Sequence, residues 1–65
     1  MKLNSIQKSA ILKCIEEMSE LSLELIHALN KPKKNNRRKI ILEVKDVEVC
    51  LEKIKQVFDN SEKIN

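Results

Sequence analysis

The fold is decided in the middle of the chain, by the segment NKPKKNN at residues 30–36. Pro32 lacks the backbone N–H that a helix interior needs, and it disfavours helical geometry at Lys31, so a helix arriving from the N-terminal side must end there. On both sides of this segment apolar residues recur every three or four positions, which is the spacing of an amphipathic helix. The sequence therefore predicts two helices joined by a short basic loop.

The predicted division of the chain follows from these patterns. A short connection suits two antiparallel neighbours, so the fold class is all-α, an antiparallel two-helix hairpin. Asn4 or Ser5 can cap the start of the first helix. The chain is predicted to be a single helical domain, residues 1–65, with a helix over about 4–30, a basic loop over about 31–36, a helix over about 37–59 and a frayed tail.

Composition excludes several other classes of protein. The 65 residues contain no glycine, one proline and one aromatic residue, Phe58, which argues against sandwiches, barrels and dinucleotide-binding folds. No apolar run is long enough to span a membrane or to form a signal peptide, so we expect a cytoplasmic protein without a membrane partner. Cys14 and Cys50 have no ligand spacing for zinc, and are predicted to be two buried thiols.

The apolar stripes predict self-association. Each predicted helix carries an apolar arc of about 120–160°, which is wider than a single partner helix covers. A chain below about 70–80 residues also usually needs an additional source of stability, and the sequence indicates neither a disulfide nor a structural metal site. We therefore expect a homo-dimer or homo-tetramer in which hairpins pack into a four-helix bundle.

Glu43 occupies a position where an apolar residue is expected. On a helical wheel it lies about 40° from Val47, inside the apolar stripe of the second helix. A carboxylate at a core-facing position has to be paired, protonated or bound to a metal. Asp46 lies on the edge of the same stripe, one turn away, so the two carboxylates can converge.

The first helix carries a matching acidic edge, with Glu17, Glu20 and Glu24 at spacings of three and four. If the turn is centred near Lys33 and Lys34, four carboxylates share about two turns of facing helix. They form a hard-oxygen cage suited to Mg²⁺ or Mn²⁺. The four predicted ligands are Glu17, Glu20, Glu43 and Asp46. Two alternatives to a metal site stay open. The acids can form a solvated face, or Glu43 can pair with a Lys or Arg of another subunit and so set the register between the subunits.

The basic loop favours an anionic partner. Residues 31–39 carry six Lys or Arg and no acid. Arg37 and Arg38 would fall in the first turn of the second helix, where cations oppose the helix dipole unless an anion is near. We predict phosphate binding by Lys34, Arg37 and Arg38, against the alternative of a simple soluble turn. The acidic body and the lack of stacking aromatic residues argue against a nucleic-acid partner.

Two segments together resemble a known family. IEEMSEL at residues 15–21 and EVKDV at residues 43–47 resemble the EExxE…ExxD motif of the MazG-like, all-α nucleoside triphosphate pyrophosphohydrolases, in particular short phage-type members. The resemblance covers roughly residues 11–58. It implies metal-dependent hydrolysis of a nucleoside triphosphate to monophosphate and pyrophosphate, with Mg²⁺ or Mn²⁺ held by Glu17, Glu20, Glu43 and Asp46.

The resemblance also implies roles for the first acids of the motif and for the setting of the protein. Glu16 and Glu17 are the expected catalytic residues, with an outer-sphere or base-like role for Glu16. A phage-encoded protein would act in the host cytoplasm. Two other functions remain open: a non-catalytic, sponge-like nucleotide-binding protein of the same fold, and a small helical interaction protein with a basic loop.

Overall fold

Helix α1 spans Ser5–Asn30 and begins at a complete capping box. The Asn4 side chain accepts a hydrogen bond from the backbone N–H of Gln7 at 2.8 Å, and the Gln7 side chain accepts one from the backbone N–H of Asn4 at 3.0 Å. Two backbone donors that a helix start leaves without partners are thereby satisfied. Asn4, rather than Ser5, is the N-cap.

The turn between the helices is shorter than predicted. In the computed structural model, which describes the backbone of residues 1–64 and the side chains of residues 1–59, helix α2 spans Lys34–Ile64. Pro32 stops α1 but does not prevent a helix from starting two residues later. The Asn36 side chain, in the first turn of α2, donates to the carbonyl of Lys31 at 2.9 Å and fastens the turn.

The second helix also continues past its predicted end. The tail expected to fray after about residue 59 is helical as far as Ile64, and Asn65 lies outside the described residues. The hairpin is therefore long and thin, with principal extents of 49 × 16 × 13 Å. This shape leaves little room for a core within one chain.

The two helices pack against each other as an antiparallel hairpin, and the described backbone contains no strand. The all-α hairpin predicted from the sequence is confirmed. Its buried apolar side chains are small: Ala10, Cys14, Val47 and Cys50. Both cysteines are free thiols and buried, as predicted. Burial raises the pKa of the Cys50 thiol, with the Glu17 carboxylate adding to the effect, so the thiol stays protonated and unreactive.

No helix within the described part of the chain has both the length and the apolar character needed to cross a bilayer.

Candidate metal centre

Three carboxylates from the two helices meet on one side of the hairpin. Glu17 of α1 and Glu43 and Asp46 of α2 each offer an oxygen that lies within 4.8 Å of the other two. Glu17 is buried, Glu43 is half-buried and Asp46 is exposed. The group therefore runs from the helix–helix contact outward to solvent, and it is open on the Asp46 side.

Two carboxylate oxygens in this group are buried without a hydrogen-bond partner among the described residues. Glu17 Oε1 lies 3.0 Å from Lys13 Nζ, one turn earlier on α1, but Glu17 Oε2 has no hydrogen-bond partner among the described residues. Glu43 Oε2 is in the same situation. Buried oxygens are almost always hydrogen-bonded in folded proteins. Two buried oxygens without a hydrogen bond therefore need a partner that is not a hydrogen-bond donor of the described chain.

The electrostatics of the group agree with this geometry. Burial raises the pKa of the Glu43 carboxyl, and the negative charges of Glu20, Asp46, Glu17 and Glu24 raise it further. The ionised form of Glu43 is therefore disfavoured unless a positive charge compensates it. The only cation within ion-pairing distance of the group in the described structure is Lys13, whose pKa is raised by its hydrogen bond to Glu17.

Glu20 and Glu16 lie outside the group. Glu20 was predicted as a fourth ligand, but it is exposed, and it acts on Glu43 only as a nearby charge. Glu16 is exposed as well, and helical rotation turns it farther from α2 than Glu20. The structure thus brings together three of the four predicted metal ligands. Rotation about the axis of α1 explains why Glu20 is outside the group, because Glu20 lies about 120° from the buried Cys14, whereas Glu17 lies about 60° from it.

Because α2 begins at Lys34, the turn is centred on Pro32 rather than between Lys33 and Lys34. Both helices rise by the same distance per residue. Each α2 residue therefore lies level with the α1 residue about three positions before the one predicted. The register shift moves Asp46 to the level of Met18, next to Glu17, and it moves Glu43 from the level of Glu24 to that of Leu21.

The three predicted phosphate-binding residues lie near the start of α2, next to the hairpin turn. Lys34, Arg37 and Arg38 are exposed in the first turns of α2 and do not line a cavity at the hairpin turn. That cavity, of about 370 Å³, is lined instead by amides of the turn and by four basic side chains. The four basic side chains are His27, Lys31, Lys33 and Lys39.

The basic cavity and the carboxylate group share one side of the hairpin. Lys39 precedes Glu43 by four residues, and side chains at that spacing lie next to each other on a helix. His27 lies 3.8 Å from Glu24, between Nδ1 and Oε1, on the same edge of α1. The sequence places His27 on the polar face of α1 and does not link it to a cavity, since a concave surface formed by a turn leaves no trace in helical periodicity.

No protein-family model matches this chain, and none of the curated proteins or solved structures compared with it shows significant similarity. Its function has to be inferred from the carboxylate group and its surroundings.

Proposed function

We propose that the chain binds a divalent cation through Glu17, Glu43 and Asp46 and uses it to hydrolyse a nucleoside triphosphate to monophosphate and pyrophosphate. The observation that carries the proposal is the meeting of three carboxylates within 4.8 Å, two of them with a buried unpaired oxygen. The reaction type comes from the resemblance of residues 15–21 and 43–47 to the MazG-like motif.

The donor set fits Mg²⁺ or Mn²⁺. Both ions prefer oxygen ligands, and Mg²⁺ is commonly held by one or two carboxylates while water and substrate phosphates fill its other positions. The exposed Asp46 leaves such positions open. When bound, an ion of this kind neutralises phosphate oxygens and lowers the pKa of a coordinated water.

The neighbouring acids of α1 supply the proton chemistry in this proposal. Glu20 lies one turn after Glu17 and is exposed, so its carboxylate is free to accept a proton from an attacking water at the edge of the centre. Glu17 has one oxygen held by Lys13, which fixes the orientation of the other. Glu16 would act only through solvent, in the outer-sphere role that the resemblance implies.

The basic cavity is the proposed site for the phosphate chain. Lys31, Lys33 and Lys39 surround a concave surface beside the carboxylates, and their ammonium groups suit phosphate oxygens. Phe58, the only aromatic residue, lies about 18 Å along α2 from Asp46 at the rise of an α-helix. Recognition is therefore directed at the phosphates, and we expect weak discrimination among bases.

The proposal is tested by measuring pyrophosphate release from a panel of nucleoside triphosphates with Mg²⁺ or Mn²⁺. Release should require the metal and should be abolished in Glu43→Gln. The control variant Glu48→Gln, with the same chemical change at an exposed position of α2, should keep full activity. Metal-dependent nucleotide binding without release would refute hydrolysis and favour the non-catalytic binding protein. No response to metal or nucleotide would refute both.

A further inference from the structure

A second cavity with basic side chains lies near the open end of the hairpin, where α1 begins. It has a volume of about 370 Å³ and is lined by residues of both helices. We call it the terminal cavity, and its polar lining is Ser5, Ser9, Lys13 and Lys53. The ammonium group of Lys13 carries three donors, and Glu17 takes one of them. None of the described residues that line the terminal cavity is acidic, so its ammonium and hydroxyl donors suit the oxygens of an anion such as phosphate.

The terminal cavity, the carboxylate group and the basic cavity lie along one edge of the hairpin. On α2, Lys39, Asp46 and Lys53 follow one another at intervals of seven residues, which is close to two helical turns. They lie on one side of the helix, and they belong in this order to the basic cavity, the carboxylate group and the terminal cavity. On α1, the contact of 3.0 Å between Lys13 and Glu17 joins the terminal cavity to the carboxylate group. A ligand that follows this edge passes from the basic cavity across the carboxylate group to the terminal cavity.

This edge is longer than the phosphate chain of a nucleoside triphosphate. Fourteen residues separate Lys39 from Lys53, which places them about 21 Å apart along α2 at the rise of an α-helix. A triphosphate has only three phosphorus atoms, and its nucleoside carries no further negative charge. With its phosphates at the metal, it reaches a cavity on one side only. A ligand that fills both cavities at once carries negative charge over about 20 Å.

The charges along the edge favour an anion at both ends and a cation in the middle. The basic cavity contributes His27 and three lysine residues, and the terminal cavity contributes two lysine residues. Between them lie the carboxylate group and the neighbouring Glu20 and Glu24, whose negative charges repel an anion. A divalent cation held by the carboxylate group offsets these charges. Binding of one anion along the whole edge therefore requires the metal.

The edge has donors for phosphates and no surface for bases. None of the described residues that form the two cavities or the carboxylate group is aromatic. Proteins that hold a single nucleic-acid strand without sequence preference stack its bases on aromatic side chains. Ammonium, amide and hydroxyl groups are present instead, and they bind phosphate oxygens. A chain of phosphates without bases therefore fits this edge better than a nucleic acid does.

We propose that this edge binds linear inorganic polyphosphate, with the divalent cation holding the middle of the chain and the two cavities holding the segments on either side. The proposal rests on the metal centre of the proposed function, but it does not depend on hydrolysis of a nucleotide. Binding requires all three parts of the edge, which distinguishes it from the general attraction of a basic protein for polyanions.

The test compares two double variants that have the same net charge. Lys39→Gln/Lys53→Gln removes one ammonium group from each cavity. The control Lys45→Gln/Lys55→Gln removes two exposed ammonium groups that helical rotation places on other sides of α2. Binding of long-chain polyphosphate is measured by calorimetry, with Mg²⁺ in excess over phosphate groups. Since an exposed ion pair contributes up to about fivefold in affinity, the first variant should bind about tenfold more weakly than the wild type, and the control should stay within about twofold. Equal weakening in both variants, or no binding by the wild type, would overturn the proposal.

Single-stranded DNA with the same number of phosphates tests the nature of the ligand. Oligothymidylate should bind at least about tenfold more weakly than polyphosphate, because its phosphates are more widely spaced and no aromatic side chain of the edge holds its bases. Equal affinity for the two chains would overturn the assignment of polyphosphate and would indicate a nucleic-acid ligand.

Failure of polyphosphate binding and failure of the proposed function give different results. Lys53→Gln lies outside the proposed catalytic residues, so it should weaken polyphosphate binding and leave pyrophosphate release from nucleoside triphosphates unchanged. If the wild type releases pyrophosphate but the two double variants bind polyphosphate alike, polyphosphate binding by this edge is refuted and the proposed function stands. Metal-dependent polyphosphate binding that needs Lys39 and Lys53, without pyrophosphate release from any nucleotide, would support the ligand and refute the hydrolysis.

Discussion

Replacing Glu43 with glutamine should stabilise the protein in the absence of divalent cations and remove its response to them. Without a cation, the Glu43 carboxylate is half-buried, has an unpaired oxygen and lies near other negative charges, all of which raise its pKa. Glutamine keeps the shape but carries no charge. At neutral pH with a chelator present, Glu43→Gln should therefore unfold at a higher temperature than the wild type.

The response to metal follows from ligand linkage. A cation present at a hundred times its Kd stabilises a folded protein by about 2.7 kcal/mol. For a domain of this size each kcal/mol raises Tm by about 4–8 °C, so the wild type should gain about 10–20 °C. Loss of a direct ligand should weaken binding at least about 100-fold, the upper range seen for supporting residues around metal sites. The same metal concentration should then raise the Tm of Glu43→Gln by about 3 °C or less.

Thermal unfolding of the wild type and of Glu43→Gln, followed by circular dichroism with and without Mn²⁺, gives the Tm of each metal-free protein and its gain in Tm with the metal. Glu48→Gln should show the full wild-type gain, because Glu48 is exposed and is not part of the group formed by Glu17, Glu43 and Asp46. Equal gains in the wild type and in Glu43→Gln would refute the assignment of Glu43 as a ligand. A chelated Glu43→Gln protein less stable than the wild type would refute the idea that this carboxylate is strained without a cation.

Three further predictions test the surroundings of the centre. Since the pKa of Glu43 is raised above its ordinary value of 4.5, the folded state binds the proton more tightly, so the Tm of the chelated protein should fall as pH rises above about 4.5, and the part of this fall due to Glu43 should vanish in Glu43→Gln. Lys13→Met removes the cation paired with Glu17 and should tighten Mn²⁺ binding several-fold by calorimetry, whereas unchanged affinity would show that the ion pair does not compete with the metal. Asn4→Ala removes the α1 cap, and should lower stability by about 1 kcal/mol in denaturant titrations; no loss would mean that the capping box is not formed in solution.

The hairpin itself could be predicted from the sequence because its determinants are local. Pro32 kinks or ends a helix through its own ring and its missing N–H, and apolar spacing of three and four residues on both sides favours two helices. The start of α2 was harder to place. Lys34 carries no capping character, and the hydrogen bond from Asn36 to the Lys31 carbonyl exists only once the turn is folded.

The carboxylate centre was predictable in part. Glu43 stands out because a charged residue in an apolar stripe needs an explanation that solvation does not provide. Glu17 and Glu20 were both predicted to meet it, and only Glu17 does, because Glu17 is rotated toward α2 and buried whereas Glu20 is rotated farther away and exposed. The ion pair between Lys13 and Glu17 follows the ordinary i, i+4 spacing and could have been read from the sequence.

The basic cavity and the exposure of apolar side chains such as Met18 depend on how the two helices pack. Periodicity shows which residues share a stripe, but it does not show which part of a wide stripe the partner helix covers. Here α2 covers the side of α1 that carries Cys14 and Glu17, and Met18 is left 42% exposed. Lys33 and Lys39 come together only because the turn is short and concave.

The most direct measurement is a titration of the protein with Mn²⁺, in which electron paramagnetic resonance records the free ion. The wild-type protein should remove one Mn²⁺ per chain from solution and Glu43→Gln should not, while Glu48→Gln should behave as the wild type. A wild-type protein that leaves the free-ion signal unchanged, or a Glu43→Gln variant that binds equally well, would contradict a metal centre formed by Glu17, Glu43 and Asp46.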